Sequence, residues 1–179
     1  MTMSFGWPGE KIQLVPLERG KHFDNCVRWL NDPQITQWLL VGDFPITRLA
    51  EKEFFDRAAR ENDKLVAFAI ETLEEEHIGI CGLSDIDFRH GTATVGLVIG
   101  REKLWNHGHG TDTIRTLTDY ATRVLGLRLL LAEVFAENDP SRRVFEKCAY
   151  EQVGRIPQRW WKRGAHRDIL LYATHRQPA

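Results

Sequence analysis

The spacing of apolar positions changes period several times along this chain, and each change marks an element. Residues 12–17 alternate as a first strand. Phe23, Val27 and Leu30 then recur at helical spacing, and Asn31-Asp32-Pro33 closes that helix. Residues 35–40 read as a short helix or turn. Thr47 opens a further helix whose stripe of Leu49, Phe54, Phe55 and Ala58 runs on through Asn62. Three β-rich runs follow, 65–72, 78–87 and 92–99, joined by the acidic turn Glu74-Glu75-Glu76 and by His90-Gly91. They predict an antiparallel meander. Ile114, Leu117, Ala121, Val124 and Leu125 mark one face of a helix ending near Gly126. Residues 128–135 are almost continuously apolar, the pattern of a central strand buried on both faces. Asp139-Pro140-Ser141 starts another helix, with proline in the tolerated first turn and Val144 and Cys148 facing inward. Two strands, 151–161 and 166–174, flank a turn at Gly164.

The resulting order, β-α-α-β-β-β-α-β-α-β-β, predicts an α+β fold with a mixed, mostly antiparallel central sheet flanked by helices. No repeat, linker or low-complexity segment divides it. Residues 1–179 are expected to form one domain, with 1–10 as a flexible leader, and that length suffices for a sizeable core.

Composition narrows the partners. A net charge of −1 gives no electrostatic reason to expect nucleic acid. No apolar run approaches the roughly 18 residues of a membrane span, and the first residues lack the basic and apolar regions of a secretory signal. Cys26, Cys81 and Cys148 are odd in number and scattered, as reduced thiols of a cytoplasmic protein would be.

The chemistry concentrates in V-G-L-V-I-G-R-E-K-L-W-N-H-G-H-G-T, residues 95–111. A strand runs into a turn where Gly108 and Gly110 bracket His109, and a helix begins at once. Glycines let backbone N–H groups approach a ligand, and a helix N-terminus favours an anion, so a pyrophosphate is the natural guest. A P-loop would need a lysine after the glycines, where His109-Gly110-Thr111 has none. A dinucleotide fingerprint would need a third glycine where Thr113 stands, and an earlier place in the chain. A loop with glycines only for turning is the remaining reading.

The segment W-N-H-G-H-G-T-D, followed by N-D-P-S-R-R-V-F-E-K-C-A-Y, resembles the GCN5-related N-acetyltransferase superfamily (GNAT), over residues 12–173. Trp105 stands where the superfamily loop usually opens with Gln or Arg, a replacement found in the RimJ/RimL-like branch that acetylates ribosomal-protein N-termini. The resemblance implies an acetyl-CoA-dependent N-acetyltransferase. Leu97, Val98 and Ile99 would line up with pantetheine and polarise the thioester through main-chain groups. Trp105, Asn106, His107, Gly108, His109, Gly110 and Thr111 would hold the pyrophosphate. His107 and His109 alone make a poor zinc site, and no metal is expected.

Asn138 heads the second cofactor motif, as a contact to the pantetheine arm or as a helix cap. Phe145 occupies the position of the tyrosine that protonates the thiolate in many relatives, and it has no proton to give. Ser141 matches the N-x-x-S form of the RimJ/RimL-like branch and is the alternative donor, or a plain first-turn serine. For the general base the candidates are Asp85, Asp87 and Glu133, the last interrupting L-L-L-A-E-V-F, with a strand end facing a helix or solvent as its alternative. Trp29, Trp38 and Trp160 are candidate walls of the acceptor groove, with the core as the alternative for the first two. Trp160 and Trp161 are adjacent in a strand, so at most one of them lines that groove. Asp168 matches an acid of the family's closing hairpin, with a structural role.

Transfer by direct attack in a ternary complex is expected, because no cysteine occupies a motif position for a covalent relay. A protein N-terminal amine is the first acceptor candidate. Its reference pKa of roughly 7.7–8.0 leaves much of it neutral, whereas a lysine-type amine near 10.4 needs a stronger base. A polyamine or other small amine is the alternative, since D-I-D-F-R-H-G-T-A-T-V-G is similar to spermidine acetyltransferases. A non-catalytic acyl-CoA-binding protein is the rival from another class. A homodimer is an expectation by resemblance alone.

Overall fold

The structure is a computed structural model that describes residues 6–60 and 63–176. Strands β1 (Trp7–Pro8), β2 (Ile12–Pro16), β3 (Leu65–Thr72), β4 (His77–Asp87), β5 (Thr92–Ile99), β6 (Leu129–Phe135), β7 (Glu151–Lys162) and β8 (Ala165–His175) form one sheet. Their order is β1-β2-β3-β4-β5-β6-β8-β7. Helices α1 (Arg19–Trp29), α2 (Pro33–Thr36), α3 (Arg48–Ala58), α4 (His109–Arg123) and α5 (Asp139–Lys147) flank it. Every neighbouring pair is antiparallel except β5 and β6, which run parallel because α4 forms the crossover between them. This is the mixed, mostly antiparallel α+β sheet expected.

The main core lies where α4 crosses the sheet. Ile114, Leu117 and Ala121, spaced for one helix face, are fully buried against residues such as Ile12, Leu14, Ile70 and Leu83. Each such large side chain contributes about 1.5–3 kcal/mol by leaving water. A second small cluster of Phe23, Cys26 and Phe55 joins α1 to α3, the two rings meeting edge to face at 5.4 Å.

Several expectations are corrected. Within the leader, Trp7 and Pro8 pair with β2, and the Trp7 ring packs edge-on against Phe68 and Tyr120. The backbone N–H groups of Glu10, Lys11 and Ile12 all donate to the Asp112 carboxylate in the first turn of α4. Residues 1–5 lie outside the described residues. Leu49 and Val124 are 67% and 57% exposed, because each sits at a helix end that has turned from the core. Helix α3 ends at Ala58, and Asn62 lies outside the described residues. Strand β6 is not buried on both faces: Leu131 is 39% exposed and Glu133 is exposed. The reason is a gap in the middle of the sheet.

Candidate active site

Strands β5 and β6 pair only through Thr92↔Leu129, Ala93↔Leu130 and Thr94↔Leu131. Beyond Thr94, β5 stays in register with β4 as far as Gly79↔Ile99, and β6 stays in register with β8 as far as Phe135↔Ile169. The two halves of the sheet therefore part, and a cavity of about 960 Å³ opens between them. Alternate residues of β5 past Thr94 turn their N–H and C=O away from β4 and toward that gap.

One half of the cavity is built by main chain. Leu97, Val98 and Ile99 form one wall, and Trp105, Asn106, Gly108, Gly110 and Thr111 curve round to the start of α4. Gly108 caps that helix at φ +90°, a conformation that costs an L side chain steric strain. A Cβ at Gly110 would meet Val144 and Leu97 at 3.4 and 3.5 Å and so fill part of the cradle. The first-turn N–H groups of α4 have no partners within the helix and present positive potential there.

The loop is tied by side chains. The Trp105 indole N–H donates to the Ile99 carbonyl at 2.7 Å, and Lys11 Nζ donates to the His107 carbonyl at 2.9 Å. His107 and His109 are absent from the cavity wall. The first, exposed, has its Nδ1 2.7 Å from the Trp105 carbonyl, and the second has a buried Nδ1 without a partner. Among the described residues no group of His, Cys, Asp and Glu is placed to hold a metal.

Across the gap, Asn138, Ser141, Val144 and Phe145 bring α5 to the cavity. The Asn138 side-chain carbonyl accepts from the Ser141 N–H at 3.2 Å, so it caps the helix. Its amide N–H groups remain as donors. Phe145 touches the cavity from a largely buried position, its ring 5.1 Å from Tyr150 and 6.1 Å from Tyr172. None of the three tyrosines lines the cavity, so no phenol replaces the missing one. Ser141 is the hydroxyl that α5 places there. The cysteines are likewise elsewhere: burial pushes the Cys26 thiol up to about 12 and the Cys148 thiol up to about 11, and it raises Cys81 as well. All three stay protonated at neutral pH and out of reach of the cavity.

The opposite end is built by side chains from distant segments. Trp38, Leu39, Leu40 and Val41 come from the loop after α2, Asp85 from β4, Glu133 from β6, and Arg159 and Trp160 from β7. Asp85 sits at φ 50° in an irregularity of the β4–β5 pairing, a device that re-aims a strand residue. Asp87 does not line the cavity; its carboxylate accepts the His90 N–H at 3.0 Å and holds a turn. Glu133 is the exposed acid on the open stretch of β6. Trp160 lines the cavity while Trp161 is 60% exposed, as strand alternation requires.

Trp29 is a correction. It is 5% exposed, with its ring 4.7 Å from that of His77 and packed over Gly100, where a Cβ would fall inside the indole. It buttresses the end of β5 from behind and is absent from the cavity wall. Its place on the buried face of α1, after Phe23 and Cys26 at three-residue intervals, was the sequence signal for this. Arg143 and Lys147 were overlooked; one turn apart on α5, they add positive charge to the cavity edge. Arg159 was overlooked as well.

The comparisons agree with this architecture. The GNAT acetyltransferase domain family matches residues 11–151. The chain belongs to that family. This GNAT chain is 27% identical over 170 residues to an N-acetyltransferase of Bacillus licheniformis named p20, covering 92% of each. It is 23% identical over 124 residues to the spermidine N(1)-acetyltransferase of Vibrio cholerae, covering 69% of this chain and 68% of that one. In fold it is similar to a Vibrio cholerae spermidine N-acetyltransferase solved with CoA and spermine. That TM-score is 0.84 at 20% identity, covering 92% of this chain and 95% of that one.

The GNAT protein is thus an N-acetyltransferase, and its cofactor is acetyl-CoA. The cavity fits that group. An unpaired strand edge suits a linear amide arm, and the glycine-capped helix start with Arg143 and Lys147 nearby suits phosphates. No described helix is long and apolar enough to cross a membrane.

Proposed function

We propose that this GNAT acetyltransferase acts on a protein or peptide N-terminal amine, by direct attack within a ternary complex. The observation that carries this is the acceptor end of the cavity. It is mainly apolar and aromatic, from Trp38, Leu39, Leu40, Val41 and Trp160. The whole wall holds two carboxylates, Asp85 and Glu133, against three cations, Arg143, Lys147 and Arg159. Such a wall suits a single amine carried on a partly apolar chain better than a polycation.

Acetyl-CoA supplies the acyl group: the amine nitrogen bonds the acyl carbon, the carbon–sulfur bond breaks, and one proton lost from nitrogen balances one gained by sulfur. Glu133 accepts the proton from the amine at a carboxylate oxygen, directly or through water, and Asp85 provides the second acid. Ser141 holds its proton at Oγ on α5, which also lines the cavity. A free thiol's reference pKa of roughly 8.5 makes that a mild demand. The burial of the cysteines away from the cavity supports direct transfer over a covalent relay, and free thiols fit a reducing compartment such as the cytoplasm.

Polyamine acetylation is the second reading, favoured by the likeness to the Vibrio cholerae spermidine enzyme in fold and sequence. Free-thiol release from acetyl-CoA, screened over N-terminal peptides, polyamines and aminoglycosides beside a calorimetric CoA titration, separates the two. Turnover confined to peptides is expected. Turnover confined to polyamines would overturn the first reading and leave the second.

A further inference from the structure

We infer that the acceptor carries a carboxylate a few bonds from its amine, and that Arg159 receives it. The inference rests on the acceptor end of the cavity being the amine site.

The hairpin of β7 and β8 holds five lysines and arginines, and four have protein partners. Arg155 pairs with Asp168. Lys162 reaches the Val41 carbonyl at 2.9 Å and Asp43 at 2.7 Å. Arg163 donates to Gln37 and to the Pro33 carbonyl. Arg167 pairs with Glu137 at 3.3 Å. Arg159 is the exception: among the described residues no carboxylate pairs with it, and its guanidinium stands 5.7 Å from the centre of the Trp160 ring. It also lines the cavity, which the other four do not. Beside it the buried Trp160 Nε1–H lacks an acceptor. The indole N–H is thus a buried donor without an acceptor, which buried polar groups rarely keep without a ligand, and the exposed Arg159 guanidinium stands next to it on the same wall.

The backbone there is shaped to present them. The β7–β8 register breaks between Ile156 and Trp160, with Gln158 at φ 51°. Asp168 fixes the irregularity, accepting the Gln158 N–H at 2.8 Å on one oxygen and the Arg155 Nε–H at 2.8 Å on the other. A bulge of this kind re-aims the side chains that follow it, here Arg159 and Trp160. The hairpin tip is in turn docked on the 33–43 segment through Lys162 and Arg163, so both walls of the acceptor end are held against each other.

The charges are sorted accordingly. Asp85 and Glu133 lie on β4 and β6, on the side of the parted strands, and Arg159 lies on β7. An ammonium end is attracted to the first pair, and a carboxylate meets a planar guanidinium that can take both its oxygens. A polycation meets Arg159 as a repulsive element. Two sources offer this chemistry: an N-terminal peptide with an acidic second residue, and a free α-amino acid.

The test uses the full-length enzyme and matched acceptors: peptides differing only by Glu or Gln at the second position, and a free amino acid beside its amide. Initial rates give KM and kcat separately, with CoA affinity measured by calorimetry. For wild type, KM is expected to be about 10-fold lower for the carboxylate member of at least one pair. Which pair responds identifies the source. In Arg159→Ala that preference should collapse to near unity, and Arg159→Lys should restore part of it. Equal KM values within every wild-type pair would overturn the inference while transfer to amines stood. Weakened CoA binding by Arg159→Ala with the acceptor preference intact would also overturn it, by giving the guanidinium to the cofactor. Absence of turnover on every amine would overturn the acceptor reading itself and this inference with it.

Discussion

The two ends of the cavity are built from different materials. The end proposed to hold CoA is main chain: an unpaired stretch of β5, a glycine at φ +90° and the first turn of α4, all contiguous between Val95 and Thr111. The end proposed for the acceptor is side chain, gathered from residues 35, 38–41, 85, 133 and 159–160. A site made of backbone depends on where a strand stops pairing and tolerates changes of side chain. A site made of side chains depends on long-range docking, and single substitutions redirect it.

The sharpest way to break this contrast is Glu133→Gln. Removing the proposed base at the acceptor end should lower kcat by about 100-fold and leave the CoA affinity measured by calorimetry near that of wild type. A parallel loss of CoA binding would show that the two ends are not separable.

Next in size is a pH effect behind the cofactor end. Burial first, and then His22 with its ring 4.6 Å away, hold His77 down to about 4. The folded state therefore favours the neutral ring, and the unfolded chain binds the extra proton from about pH 6.5 downward. Stability is full above that pH and is lost as pH falls toward 4, by about 3 kcal/mol from this residue. Denaturant unfolding at neutral pH and near pH 4 checks it, with His77→Gln expected to flatten the dependence.

These expectations show what the sequence can carry. The strand-to-helix junction at Gly108 and the helix cap at Asn138 were legible because their signals are local: glycines after a strand and an asparagine shortly before a proline read the same in a string as in a fold. The gap itself was not legible. The apolar run of β6 looks like a strand buried on both faces, and only the pairing shows that Leu131 and Glu133 face open space. Trp38 and Trp160 were read as groove walls, and they line the cavity. Trp29 was left between groove wall and core, because an aromatic residue near a motif does not declare its face, and the structure places it in the core. Arg159 was invisible for a further reason: the irregularity at Gln158 breaks the two-residue rhythm by which a strand's faces are assigned.

Gly108→Val sharpens the backbone side of the contrast. A β-branched residue forced to positive φ should weaken CoA binding about 10-fold, with the acceptor KM little changed. The smallest effect is expected from Asp168→Ala, which frees the β7 irregularity without touching either ligand. The acceptor KM should rise about fivefold, the worth of a hydrogen bond or two, while calorimetry shows unaltered CoA binding.

A sheet that parts in its middle has four margins where an ordinary open sheet has two. The outer margins are β1 and β7. The inner ones, on β5 and β6, keep the full hydrogen-bonding appetite of an edge strand, which in most proteins invites other chains to add themselves. Here they face each other with α4 and α5 alongside, so the opening admits a slender molecule and excludes a second polypeptide sheet. By enclosure, the fold keeps what is useful in an exposed edge and sheds its tendency toward aggregation.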